Sequence, residues 1–245
     1  MYQRHSCLKP IIAAIFLILI ATTATAFTFM PMSTTISPSG ANSIASFRIT
    51  NDSSQQIAIT IKATTREIDE NGNEINAPAD NQFAIFPTRI VVQPNSFQNI
   101  KVQYKGNPSL AKEVAYRIIA EQVPIDFSQQ QTSGVKVMFR YIAALYVAPP
   151  NVSHKIAVTK VEYGEQEGKK GFFVTITNSG TRHGLINDPV LKISGSLSTI
   201  TLKDEALNAI NGQNLLAGNV RKFFIPCEDA VPGKSYTGSL TAKIE

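Results

Sequence analysis

The sequence predicts an all-β fold built as two successive sandwiches, and three features carry that prediction. Short runs alternate apolar and polar residues with a period of two, they are rich in Ile, Val and Thr, and turn-forming residues separate them. Helical periodicity is nearly absent, with Lys203–Asn211 the best and only a short candidate.

The alternating runs come in order. Ile44–Thr50, Gln56–Lys62, Thr88–Gln93 and Gln98–Tyr104 lie in the first half; Lys155–Val161, Gly171–Thr177 and Tyr236–Ile244 lie in the second. Many strands at this spacing, with turns between them, belong to a sandwich or barrel. Asn71-Gly72 between two short polar-apolar segments predicts a two-residue hairpin turn. The charged stretch Gly164–Lys170 predicts another hairpin turn, between Tyr163 and Gly171. Both halves contain a strand that ends in Thr-Asn before small or polar residues, at Thr50-Asn51 and Thr177-Asn178. Two similar domains are the simplest source of that echo. Pro149-Pro150 ends the longest apolar run of the chain beyond residue 26, and adjacent prolines do not fit inside a central strand. The boundary is therefore set there, giving domains 27–149 and 150–245.

Residues 1–26 read as a cleaved signal peptide. Arg4 and Lys9 precede an apolar stretch from Ile11 to Ile20, and small residues lead to Ala24-x-Ala26. The apolar stretch is about half the roughly 20 residues that a membrane-spanning helix needs. Cleavage removes Cys7 and leaves Cys227, which excludes an internal disulfide; beside Phe223, Phe224 and Ile225 it reads as a buried strand residue. Removing Arg4 and Lys9 takes Lys+Arg from 23 to 21 against 18 acidic residues, a net charge of +3. The basic residues are scattered, so nucleic acid is not an expected partner. A secreted, soluble product, not embedded in a membrane, is expected.

No catalytic pattern is visible, and neither an enzyme nor a cofactor or metal site is predicted. His154 and His183 of the processed chain have no Cys or metal-ligand spacing around them, and His183 reads as an exposed loop residue. A Gly-x-Ser-x-Gly elbow is absent. Asp69–Glu74 lacks the glycine position of a calcium loop, and Gly164–Lys170 is too short for a phosphate-binding loop.

Three segments carry a family resemblance. Phe47–Asn51 is followed by Phe86-Pro-Thr-Arg89 leading into a strand and Pro94; Glu113–Pro124 contains Tyr116-Arg117; and Val135–Val147 is a long alternating run after Gly134. In this order, with the Pro-Pro break and Thr177–Gly180, they resemble the two-domain periplasmic chaperones of the chaperone–usher pilus pathway (PapD-like). Glu113–Pro124 is similar to the family's F1 strand and Val135–Val147 to its G1 strand. The resemblance implies two immunoglobulin-like β-sandwich domains in an L-shaped arrangement. It implies a chaperone that binds and caps pilus subunits in a 1:1 complex and delivers them to an outer-membrane usher without ATP. A subunit lacking its last strand has an open groove, which the chaperone's G1 strand fills by β-augmentation. Alternation places Val135, Val137, Phe139, Tyr141, Ala143 and Leu145 on the expected subunit-binding face, with Lys136, Met138, Arg140 and Ile142 on the other. The polar run Gln129–Ser133 is the expected flexible loop before that strand.

The family also holds the subunit's C-terminal carboxylate on a basic pair between the domains. Here the matching positions are near Thr34 or Thr35 and near Ala143 or Ala144, none of them basic. This departure resembles the archaic or another non-classical branch. It makes Arg117 the expected anchor, with Arg140 and Arg89 as helpers, because a guanidinium grips a carboxylate bidentately. The alternative is a structural pilus subunit or adhesin with Ig-like domains. Against it stand the two domains and an apolar segment, Phe27–Met32, broken by Pro31.

Overall fold

The computed structural model describes residues 27–124, 137–196, 198–232 and 235–245. The signal peptide expected at 1–26, the loop expected at Gln129–Ser133 and Val135 lie outside the described residues. The described part is all-β. Its strands are β1 (Thr28–Met30), β2 (Ser33–Ile36), β3 (Ile44–Asn51), β4 (Ile57–Thr65), β5 (Glu67–Ile68), β6 (Glu74–Ile75), β7 (Phe83–Phe86), β8 (Arg89–Val92), β9 (Ser96–Tyr104), β10 (Val114–Val123) and β11 (Arg140–Val147). Seven more follow: β12 (Ile156–Gln166), β13 (Lys169–Asn178), β14 (Gly184–Ser194), β15 (Thr199–Lys203), β16 (Asn214–Leu215), β17 (Val220–Pro226) and β18 (Thr237–Ile244).

The first sandwich packs a sheet of order β1-β3-β9-β7 on one of order β2-β11-β10-β4-β8. All of its pairings are antiparallel except β2 with β11, which run parallel. Alternate residues of both sheets meet in one core that includes Phe29, Phe47, Ile49, Ile59, Ile100, Ile118 and Leu145. The second sandwich sets β12-β13-β17 against a sheet centred on β14, which pairs with β18, β15 and β16. Its core gathers Phe172, Ile176, Ile186, Leu191, Ile193 and Ile225. Cys227 is buried there, one residue past the end of β17.

The turns differ in detail from the sequence expectation. Between β5 and β6 the Asp69 amide donates to Asn73 O, so the loop has three residues and Gly72, at φ 95°, ends it. Asn71 does not adopt positive φ, which rules out the two-residue turn expected at Asn71-Gly72 and gives the three-residue form instead. The two-residue turn occurs elsewhere, at Glu167-Gly168, where both residues have positive φ. Lys203–Asn211 contains only one 3-10 turn, Asp204–Leu207.

The repeated Thr-Asn element has a physical basis. Asn51 and Asn178 are both buried at the ends of strands, and each feeds three carbonyls. Asn51 Nδ2 donates to Gln55 O, Val92 O and Gln93 O. Asn178 Nδ2 donates to Arg182 O, Leu215 O and Leu216 O, while its Oδ1 accepts from the Lys155 and Gly180 amides. A side-chain amide here ties together backbone groups from separate segments where the strands end, and removing it takes a hydrogen bond from each of them at once.

The sandwiches meet through specific contacts. Glu113 N donates to Thr181 O at 2.9 Å, and Glu113 Oε1 accepts from His183 N at 3.0 Å and lies 2.6 Å from His183 Nδ1. The His183 ring stacks on Tyr146 at 3.8 Å. His183 was expected to be an exposed loop residue. It is instead largely covered, because the loop that carries it lies against the first sandwich. Ala115, Ala144, Tyr146 and Leu216 form a small apolar cluster at this junction.

Replacing Asn178 with Ala should lower stability by roughly 2–4 kcal/mol, since several buried groups lose a hydrogen bond together. Urea unfolding of the processed chain measures this, and a loss below about 1 kcal/mol would contradict the role given to Asn178.

Candidate functional site

The strand β11 is treated differently along its length. Its Ala144–Val147 part is flanked on both sides, by β10 and by the parallel strand β2. There Ala144 N donates to Met32 O at 2.9 Å. The part Arg140–Ala143 pairs with β10 alone among the described residues. Backbone groups alternate sides along a strand, so the outward amide of Ala144 puts those of Ile142 and Arg140 on the same open edge. An unpaired edge of this kind is a template for a further strand.

The side chains change along the same line. Ala143, Leu145 and Val147 are fully buried in the first core. Phe139 and Tyr141 are partly buried against it, and Tyr141 meets Phe27 edge to face at 4.7 Å. Val137 is 60% exposed. Of the six residues expected on a subunit-binding face, Ala143 and Leu145 therefore belong to the chain's own core. The cause is the closed sandwich, whose opposite sheet covers this end of β11. Val137, Phe139 and Tyr141 extend the same face beyond the well-packed region. On the other face Met138 and Ile142 are also exposed, the latter 40%.

Arg117 projects from that other face of β10, since its neighbours Tyr116 and Ile118 point into the core. It stands in register with Ala144, one of the positions at which a basic residue was expected and is missing. Arg117 Nε donates to Glu74 Oε1 at 2.8 Å, and its Nη2 donates to Glu74 Oε2. Arg66 donates Nε to the same Oε2 at 3.0 Å and Nη1 to Tyr146 Oη at 2.9 Å. Tyr146 Oη also accepts from Asn214 Nδ2 of the second sandwich at 2.8 Å. Two guanidinium groups thus converge on one carboxylate at the junction of the sandwiches.

Burial by itself raises the Glu74 carboxyl. The hydrogen bonds and charges of Arg117 and Arg66 outweigh it and hold the group at about 2, well below the usual carboxylate range.

The other expected basic residues are not brought to this site. Arg140 is exposed on β11 opposite Glu121, with Nε 4.0 Å from Glu121 Oε1. That is four residues, roughly 13 Å, along the strand from Ala144. Arg89 is exposed on β8, the far edge strand of the sheet, and pairs with Thr60. Thr34 and Thr35 lie beside Leu145 and Tyr146 on β2.

Sequence reasoning missed Arg66 and Glu74. The two-residue turn expected at Asn71-Gly72 would set Asp69 opposite Glu74, whereas the three-residue loop shifts that register by one. Register places Ile68 opposite Glu74, so Arg66 and Glu74 are diagonal cross-strand neighbours, which are within reach of long side chains.

Comparison with known proteins bears on the family and the fold. Residues 28–153, just over half of the chain, match the family described as pili and flagellar-assembly chaperone, PapD N-terminal domain. No curated protein matches the chain in sequence. Among solved structures, the class 5 fimbriae chaperone CfaA aligns with TM-score 0.58 and 15% identity, over 89% of this chain and 100% of that one. A chain of the CsuC–CsuE chaperone–tip adhesion subunit pre-assembly complex, from the archaic chaperone–usher Csu pili of Acinetobacter baumannii, aligns with TM-score 0.55 and 12% identity. That alignment covers 81% of this chain and 90% of the other. A chain of the Salmonella enterica SafA pilin complex with the SafB chaperone aligns with TM-score 0.51 and 12% identity, over 84% and 86% of the two chains. At these identities the likeness is one of fold.

The depressed Glu74 value fixes the sign of a pH effect. Its folded value of about 2 lies below the ordinary 4.5, so the stabilisation is complete above about pH 4.5 and is lost as pH falls through about 2. Urea midpoints of the unmodified chain and of Glu74→Gln should therefore differ at neutral pH and converge across that window. A difference that stays constant down to about pH 2 would contradict the ion-paired assignment.

Proposed function

The chain belongs to the pili and flagellar-assembly chaperones, and on that premise we propose that it caps a pilus subunit through the open edge of β11 and holds the subunit's C-terminal carboxylate on Arg117. The single observation that carries this reading is the half-paired strand. Arg140–Ala143 offers backbone groups to a new neighbour while Ala144–Val147 is saturated by β2.

A subunit edge pairing with this segment would extend the sheet β2-β11-β10-β4-β8 by β-augmentation. Val137, Phe139 and Tyr141 would enter the subunit's groove, together with Val135 upstream. Each apolar side chain so buried contributes on the order of 1.5–3 kcal/mol, before the cost of association. Ala143 and Leu145 would act from within, holding the strand in place. Arg117, with Arg66 beside it, would meet the last residue of the subunit where the sandwiches join.

The wider reading follows from the same premise. The chain works in the periplasm after loss of residues 1–26, binds subunits 1:1 and passes them to an outer-membrane usher without ATP. A subunit completed by its own neighbour's strand leaves by exchange, so no nucleotide is needed. We place the domain boundary at Pro149-Pro150, between β11 and β12. The archaic or another non-classical branch accounts for the absence of basic residues at Thr34, Thr35, Ala143 and Ala144. A structural pilus subunit or adhesin fits less well, because both sandwiches here have closed cores and Phe27 and Phe29 fill their own.

Co-expression with the neighbouring open reading frames, followed by purification, should yield a 1:1 complex with a small β-rich secreted protein. Phe139→Asp and Arg117→Ala should each abolish that complex, with melting curves showing that the free chain still folds. Normal subunit accumulation with both variants would overturn the site. A chain that polymerises with itself would overturn the chaperone reading.

A further inference from the structure

The anchor proposed above is already occupied from within the chain. Arg117 grips Glu74 fork to fork, the geometry by which a guanidinium takes a free carboxylate. Arg66 adds a third bond to the same group. Glu74 is also the outermost of the three. Its side chain is 27% exposed, against 18% for Arg117 and 10% for Arg66, so it stands between the cations and solvent. A second carboxylate brought to the pair would meet the first at close range, and like charges that close disfavour each other strongly.

Glu74 sits on a small element of its own. Strands β5 and β6 pair over only two residue positions, separate from either main sheet. Its ties run to both sandwiches: Ile68 packs beside Ala115, Ala144 and Tyr146 of the first, and two backbone carbonyls are held by the second. Glu70 O accepts from Lys222 N at 2.7 Å, and Ile68 O accepts from Asn219 Nδ2 at 2.9 Å. At the tip, a Cβ on Gly72 would come within 2.5 Å of Arg221 Nη2, so glycine permits the close approach of the loop to that buried arginine. One short hairpin therefore holds the anchor in the first sandwich and a strand edge in the second.

We propose that Glu74 is an internal stand-in for the partner's C-terminal carboxylate, and that the β5–β6 hairpin is a latch which the arriving carboxylate releases. This rests on the reading of Arg117 as the anchor. In the free chain Glu74 keeps both guanidinium groups aligned and neutralises one of their two charges. A partner ending in a carboxylate replaces it like for like, with the charge balance of the pair unchanged. A strand that continues past this point, or ends in an amide, brings nothing to exchange and leaves the latch closed. The stand-in thus selects for a chain terminus. Its displacement also frees the carbonyls of Ile68 and Glu70 from Asn219 and Lys222, so occupancy of the anchor loosens one tie between the sandwiches.

The test uses an N-acetylated alanine tripeptide with a free C-terminal carboxylate, and the same peptide amidated, titrated into the processed chain and followed by NMR. The carboxylate peptide should shift the Arg117 Nε–Hε and Asn219 side-chain amide signals, and the amide should not. Glu74→Gln should bind the carboxylate peptide at least tenfold more tightly, and Glu74→Asp should restore most of the competition. Equal or weaker binding by Glu74→Gln, with the carboxylate still preferred over the amide, would overturn the stand-in while leaving the anchor intact. No discrimination between the peptides by either chain would overturn the anchor itself. Tighter binding with an unmoved Asn219 signal would overturn the latch. Should Glu74→Gln fail to fold, the Glu74 carboxylate carbon signal of the unmodified chain decides instead. It must move to the value of a solvated carboxylate at saturation, and an unmoved signal would overturn the proposal.

Discussion

The bond from the Ala144 amide to the Met32 carbonyl marks the point on which the rest of the molecule turns. On one side of it β11 is an interior strand, with its side chains locked into the core and its backbone saturated. On the other side the same strand is an edge. No residue changes type at that boundary. What changes is whether β2 is alongside, and β2 reaches only from Ser33 to Ile36. A strand anchored so firmly at one end can present its other end in extended form without losing more order on binding than a few residues' worth.

The junction of the sandwiches uses polar groups in an economical way. Tyr146 closes the apolar cluster with its ring, stacks on His183, and accepts hydrogen bonds at its hydroxyl from Arg66 and Asn214. Glu113, buried just before β10, meets the backbone amide and ring of His183. Tyr146 links this junction to the Arg66–Glu74–Arg117 cluster, since its hydroxyl takes Arg66 on one side and Asn214 of the second sandwich on the other. Charge at the anchor and the relation of the two sandwiches are therefore set by adjoining contacts. Buried pairs of this kind are better understood as fixing geometry than as adding large net stability.

Much of the fold was legible from local pattern. Period two, β-branched composition and turn residues located most of the strands, and the repeated Thr-Asn pointed to two similar halves. The buried Asn51 and Asn178 supply the reason for that repeat, since the same backbone problem is solved twice. Local rules failed where the answer depended on what lies across the sheet. The alternation of β11 gave the right two faces, yet it carried no information on where the core ends along the strand. Ala143 and Leu145 look like Val137 and Phe139 in sequence and differ only in what covers them. His183 read as exposed because nothing near it in sequence indicates that Tyr146 and Glu113 meet it.

The sequence by itself determined the all-β class, the alternating face of β11, the hairpin around Gly72 and the absence of basic residues at Thr34, Thr35, Ala143 and Ala144. These depend on φ/ψ preference and side-chain period, which act within a few residues. Only the tertiary structure decided that Arg117 stands across from Ala144, that Arg66 joins it from β4's end, and that Glu74 fills the fork between them. Those facts depend on strand register and on the packing of one sandwich against the other, and register is fixed by the whole buried face at once.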